Sequence, residues 1–232
     1  MLIMKDLAIE FDQSSFSEKI YTAILHHIIN HQIKPGEKLS EERIASILNV
    51  SRTPVREALK RLAADGLIDY YPRRGAYTKE ITPQDITELY EIRRCLEVHA
   101  ARKTIGNIPK KRIRWINKLI ESCHLAEGVD FIEAELQLDR EIHKTINSCC
   151  GNVRLKEMLE KLDHLAKFMR ILHFNREELV RENFVEHEGI WNALASQDEK
   201  LMVKLLEEHL DNRKKCLLEH FSIIHTSEEA IG

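Results

Sequence analysis

The sequence predicts a mainly α protein of two modules, an N-terminal winged helix–turn–helix followed by a C-terminal antiparallel all-helical bundle. Three observations carry that expectation. Only 8 Gly and 5 Pro interrupt 232 residues, and such sparse breakers favour long helices and exclude an all-β fold. The breakers are also uneven: Pro35, Gly36, Pro54, Gly66, Pro72 and Gly75 crowd the first third, whereas helical periodicity dominates after Pro83. Finally, the charge is segregated. Residues 34–79 hold ten basic and six acidic side chains, a local +4, so the rest carries −7 to reach the net charge of −3.

The elements follow in order. Phe16, Ile20, Ile24 and Ile28 recur at helical spacing, which predicts a helix over 14–31 that stops before Lys34-Pro35-Gly36. A short helix over 40–48 has Ser40 as N-cap and Glu41 and Glu42 in its first turn, where acids suit the helix dipole. The turn Asn49-Val50-Ser51 leads into a helix over 53–65, with Pro54 in its first turn and Gly66 at its end. Residues 67–71 and 76–79 read as two short strands around Pro72-Arg73-Arg74-Gly75. Helix, short helix, turn, helix and hairpin is the winged helix–turn–helix order. From Pro83 onward six helices are predicted, over 83–105, 109–127, 130–149, 153–174, 178–196 and 198–222, joined by short loops that favour antiparallel neighbours. The expected division is an N-terminal extension (1–13), the DNA-binding domain (14–79), a linker (80–83), the helical domain (84–222) and a C-terminal tail (223–232).

The first module is built to read double-stranded DNA. Arg52 and Arg56 lie four apart at the start of the third helix, and a guanidinium fork matches guanine O6 and N7. Ser51 and Thr53 can donate to phosphates at that helix N-terminus, while Arg73, Arg74 and Gly75 at the hairpin tip suit phosphate or a narrow minor groove. Leu39-Ser40-Glu41, Ala45, the run from Val50 to Leu59, Arg61-Leu62, Gly66-Leu67 and Arg73-Arg74-Gly75-Ala76 together resemble the winged-helix domain of GntR-family transcriptional regulators. The sequence departs from that pattern twice. His31 stands where the family has Gly before its Pro-Gly turn, and Glu42 occupies a position where the FadR type has a DNA-contacting Arg.

In the second module the stripe Ile132, Leu136, Asp139, His143, Ile146 is one helical face, so Asp139 and His143 are one turn apart within an apolar seam. His187 interrupts a similar seam of Phe184, Trp191 and Leu194, and His209 lies beside Leu205, Leu206 and Leu210. The last two helices meet near residue 198, midway between 187 and 209, which puts His187 and His209 at one height in an antiparallel hairpin. Three His and one Asp converging in a bundle point to a divalent metal; zinc, nickel and manganese all suit imidazole and carboxylate ligands.

Asp85-Ile86, the run from Glu88 to Arg93, Leu96-Glu97, Asp139 with His143, Glu186-His187 with Ile190 and Ala193, and His209 are similar to the FCD effector domain of the FadR subfamily. Six helices resemble its VanR-like branch. The resemblance implies that Asp139, His143, His187 and His209 hold a metal that helps bind a small carboxylate-bearing effector. Arg93 is a candidate partner for that carboxylate or, alternatively, for Glu97, and Arg140 and Asn192 are candidates of the same kind.

The resulting expectation is a homodimeric, ligand-responsive regulator of transcription, a repressor released by an organic acid, that binds a short palindromic operator. The alternatives are a sensor of the metal itself and, further off, a metal-dependent hydrolase, for which no general base at suitable spacing is evident. No run approaches the roughly 18 residues of a membrane span, and 1–13 lacks a basic segment followed by an apolar one, so a non-enzymatic cytoplasmic protein without membrane partners is expected. Five scattered cysteines without C-x-x-C spacing read as reduced thiols.

Overall fold

The structure, a computed structural model, describes residues 16–71, 73–169 and 177–229. The expected extension over 1–13 and Pro72 lie outside the described residues. The chain divides into one unit of residues 1–82 with 163–171 and a second of residues 83–162 with 172–232. Segment 163–171 thus groups with the first unit although it follows the expected linker.

The first unit contains α1 (Phe16–Ile29), β1 (Lys38–Leu39), α2 (Glu41–Leu48), α3 (Arg52–Ala64), β2 (Ile68–Tyr71) and β3 (Gly75–Thr78). Ile20, Ile24 and Ile28 of α1 pack with Ile44 of α2 and with Val55, Leu59 and Leu62 of α3, all fully buried. Phe16, the first member of the expected stripe, is instead exposed at the first position of α1. Ser40 caps α2 by accepting from the Arg43 amide, and Asn49 closes it in the left-handed conformation, φ 52°. The hairpin forms as expected, with Tyr71 opposite Gly75 and Ile68 opposite Thr78.

One strand was not legible in the sequence. β1 pairs with β3 on the side opposite β2, Leu39 facing Ala76, and makes a three-stranded sheet of order β1-β3-β2. Two residues are too few to show an alternating pattern, and the pairing exists because the chain leaving the Pro35-Gly36 turn runs along an edge that would otherwise be bare. Buried Thr78 fastens that turn: its hydroxyl bonds to the Lys34 carbonyl and accepts from the Glu37 amide at 2.8 Å.

The second unit contains α4 (Pro83–Thr104), α5 (Lys110–Leu125), α6 (Gly128–Cys149), α8 (Glu177–Ala195) and α9 (Glu199–Glu229), with α7 (Val153–Met169) beginning in it. The expected six helices are present among the described residues, but the last runs to Glu229 rather than ending at 222, so part of the expected tail is helix. Central α6 packs on α4, α5 and α8, and α9 packs on α4 and α8. Four helices therefore surround one interior line, the line on which the buried polar residues fall. Among the described residues no helix is long and apolar enough to cross a membrane. No disulfide joins any of the five cysteines, of which Cys123 and Cys150 are buried and Cys95 is exposed.

His31 explains one departure from the family pattern. Its φ is 59°, in the left-handed region where a Cβ is costly, so the position favours Gly and the imidazole stands there under strain. His31→Val is expected to lower stability by about 1–2 kcal/mol while His31→Gly does not, measured by thermal unfolding; equal stability of the two variants would count against a strained backbone.

Candidate nucleic-acid interface and metal centre

The expected reading surface is exposed as a set. Ser51, Arg52, Thr53 and Arg56 lie on the outer side of α3, and Arg73 and Arg74 are exposed beside Gly75 at the hairpin tip. Ser51 is the N-cap residue of α3 but its hydroxyl makes no capping bond, which leaves it able to meet a phosphate. Arg73 and Gly75 both have positive φ, 65° and 98°, the tight turn that thrusts the basic tip outward.

Two acids, both missed as partners in the sequence, meet the two arginines. Arg56 donates from Nε and Nη2 to the Glu41 carboxylate at 2.9–3.2 Å, and the Tyr70 hydroxyl from β2 donates to the same carboxylate. Hydrogen bonding from Arg56 holds the Glu41 carboxyl below its ordinary range, so it remains charged. Arg52 pairs with Glu42 through Nη1 at 2.8 Å, and both of those side chains are more than half exposed. The first-turn positions of Glu41 and Glu42 carried a dipole signal only; the pairing is made by the crossing of α2 and α3.

The bundle interior brings the three histidines together. Ring centroids of His187 and His209 are 4.6 Å apart, and those of His143 lie 5.5 and 5.6 Å from the other two. One ligand atom from each falls within 4.8 Å of the others. Asp139 Oδ1 sits 3.2 Å from His187 Nε2 and 3.5 Å from His143 Nε2. Two ligand atoms at tetrahedral angles around a metal at ~2.1 Å stand roughly 3.4 Å apart, so these separations suit a shared cation.

Each imidazole is turned by a carboxylate behind it. His143 Nδ1 pairs with Glu97 Oε2 at 2.9 Å, His187 Nδ1 with Glu135 Oε1 at 3.0 Å, and His209 Nδ1 with Glu186 Oε2 at 2.8 Å. In a neutral ring that donates Nδ1–H to its carboxylate, Nε2 is left as the basic nitrogen able to ligate a metal; His187, held as a cation by Asp139 and Glu135, first gives up a proton. Nε2 of His143 and of His187 are buried and make no well-formed hydrogen bond, with the Asp139 carboxylate standing 3.5 and 3.2 Å away, an arrangement that a cation shared by these groups would satisfy. The donor set therefore fits a divalent metal.

The supporting residues are themselves held. Arg93, 2 % exposed, donates from Nε to Glu97 at 2.6 Å and lies over the Tyr90 ring. Asn183 donates to Glu135, and Asn212 to Glu186. Burial works to raise the Glu97 pKa, but Arg93 and His143 outweigh it and pull the carboxyl to about 2. Burial works to lower the His187 pKa, and Asp139 and Glu135 outweigh it, raising it to about 9. His209 goes the other way, lowered by burial and by the neighbouring His187 and His143. One imidazolium thus offsets part of the negative charge that Glu97, Glu135 and Asp139 bring into the core.

The expected effector residues separate. Arg93 is inside, engaged with Glu97, the alternative partner that the sequence offered. Arg140 and Asn192 are exposed, and the expectation that they line the same interior is corrected. Helical phase is the reason: Arg140 is one residue from Asp139, about 100° around α6, and Asn192 is five from His187, about 140° around α8. Glu97, Glu135 and Glu186 were missed as supports. Glu135 lies one turn before Asp139 and two before His143, and that i, i+4, i+8 spacing was the available signal.

Comparison with known proteins agrees across both units. Residues 16–78 match the family described as bacterial regulatory proteins, gntR family, and residues 88–212 match the FCD domain. The uncharacterized HTH-type transcriptional regulator YdhC of Bacillus subtilis is 27 % identical, over 84 % of this chain and 87 % of that one. The HTH-type transcriptional repressor RspR of Escherichia coli is 25 % identical, over 84 % and 85 %. E. coli McbR/YncC has the same fold, with a TM-score of 0.75 at 23 % identity, covering 90 % of this chain and all of that one.

In chelator-treated protein, NMR titration is expected to show His187 as an imidazolium with a pKa of about 9. The folded value exceeds the unfolded one of ~6.5, so the resulting stability is fully present below about pH 6.5 and is lost as pH rises through 9. A neutral His187 at pH 7 would contradict the paired arrangement with Asp139 and Glu135.

Proposed function

The chain belongs to the gntR family of bacterial regulatory proteins that carry an FCD domain, a DNA-binding transcriptional regulator, and on that premise we propose that it is a repressor whose helical domain binds a divalent metal and a small organic acid. The observation that carries the metal reading is the set of three buried imidazoles, each anchored at Nδ1 by a carboxylate, with one ligand atom from each within 4.8 Å of the others. Asp139, His143, His187 and His209 would hold the ion. A bound divalent ion supplies a Lewis-acidic anchor for an effector carboxylate.

The protein's own residues do the rest. Glu97, Glu135 and Glu186 fix the tautomer and direction of the three rings, so little reorganisation accompanies ligation. Arg93 neutralises Glu97 and keeps that support ionised within the core. A guanidinium at this depth also has the planar donor geometry that matches an effector carboxylate. In the head, Arg52 and Arg56 would read base edges in a major groove, while Ser51, Thr53, Arg73, Arg74 and Gly75 would set position on the backbone. Two copies would address the two halves of a palindrome. The effector switches such a dimer only in proportion to its unequal affinity for the bound and released arrangements. No turnover is required of the metal in this reading, and the relatives carry the names of regulators.

Chelator-treated protein titrated with Zn2+, Ni2+ and Mn2+ in a calorimeter is expected to take one ion per chain and, near pH 7, to release the His187 proton. Affinity therefore rises with pH toward 9. His187→Ala should abolish that binding and Glu135→Gln should weaken it roughly 10–100-fold; an unchanged isotherm in both variants would remove the metal from the site. Mobility shifts with the chain's own upstream DNA then test regulation. Specific, salt-sensitive binding should be released by a hydroxy acid, sugar acid or dicarboxylate in the presence of metal. Release by metal alone would make the ion the signal, and no specific shift at all would sink the reading.

A further inference from the structure

Arg52 and Arg56, the two arginines at the start of α3, are held very differently. Arg56 gives the side edge of its guanidinium, Nε and Nη2, to Glu41, whose side chain is only 17 % exposed and is fixed by the Tyr70 hydroxyl from the hairpin. Three elements, α2, α3 and β2, thereby meet at one carboxylate. Arg52 has a single contact to Glu42 between side chains 60 % and 68 % exposed, an arrangement that costs little to break.

A planar guanidinium has two usable edges. Glu41 occupies the side edge of Arg56, which fixes the plane of the group and leaves the end edge of a half-exposed side chain for another acceptor. The end edge of a guanidinium carries parallel donors, the fork that matches guanine O6 and N7. A free arginine on a helix surface would sample many rotamers and would equally meet phosphate; a clamped one meets an acceptor of a single orientation. The carboxylate also cancels much of the Arg56 charge, so it weakens attraction to any duplex regardless of sequence.

We propose that Glu41, held by Tyr70, is a positioning residue that presets Arg56 for one base pair per half-site and suppresses sequence-independent attraction, whereas Arg52 stays mobile and adapts to the site it meets. The proposal rests on the reading of the chain as a sequence-specific DNA regulator and deepens it. Glu41 touches no base itself; it acts through Arg56.

The test begins with the full-length protein selecting duplexes from a random-sequence library, and one enriched, labelled duplex serves as the probe beside a scrambled duplex. Each base pair of the probe is replaced in turn, and binding is measured for wild type, Arg56→Ala, Glu41→Gln and Tyr70→Phe. Glu41→Gln is expected to bind the selected duplex roughly tenfold more weakly and the scrambled duplex equally or more tightly. Its discrimination should collapse at the same base pair as in Arg56→Ala and be kept elsewhere. Tyr70→Phe, which keeps the charge and the ring, should lose a smaller factor at that same base pair and provides the test should Glu41→Gln unfold. Equal weakening on both duplexes, or unchanged base preference in Glu41→Gln and Tyr70→Phe, overturns the clamp. A wild type that enriches no sequence overturns the underlying reading, and the clamp with it.

Discussion

Commitment of each interior Nδ1 to a carboxylate is the constraint on which the helical domain turns. A histidine in an apolar core has two nitrogens to satisfy, and its orientation is undefined until one of them is engaged. Glu97 from α4, Glu135 from α6 and Glu186 from α8 settle that for His143, His187 and His209. The pairs join α6 to α4, α8 to α6 and α9 to α8, so the carboxylates also specify which helices stand next to which. Burying so many ionisable groups costs stability unless each is matched, and the matching is what gives the bundle one arrangement.

Charge in the chain is divided by task. The head carries the positive excess and the bundle the negative one, and within the head the excess is trimmed again by Glu41 and Glu42 beside the two arginines. Unmatched arginines attract any duplex, and an internal carboxylate beside an arginine weakens that general attraction. The same matching recurs inside the bundle, where Arg93 is paired with Glu97. In both places the acid defines what its basic partner is able to meet.

Much of this was legible in the sequence because it depends on local periodicity. The Ile20, Ile24, Ile28 stripe, the Ser40 cap, Pro54 in the first turn of α3 and the hairpin around Arg74-Gly75 are set by spacing of a few residues, and the structure places each of those elements close to its expected position. Asp139 and His143 share a face by the same rule, and the symmetry of 187 and 209 about residue 198 brings those rings within 4.6 Å. What escaped was short or nonlocal. β1 has two residues and exists only against β3, and the tail expected from 223 continues as helix because nothing in the sequence breaks it before Glu229.

The sequence by itself determined the two modules, their helices, the charge division between them and the residues able to carry DNA and metal chemistry, since all of these follow from composition and helical phase. Tertiary structure decided which of those residues keep company. It put Arg93 inside on Glu97 and left Arg140 and Asn192 outside, set three glutamates behind three histidines, and closed Glu41 on Arg56 under Tyr70. The physical reason is that hydrogen bonds between side chains on different helices depend on crossing and rotation, which no one-dimensional spacing specifies.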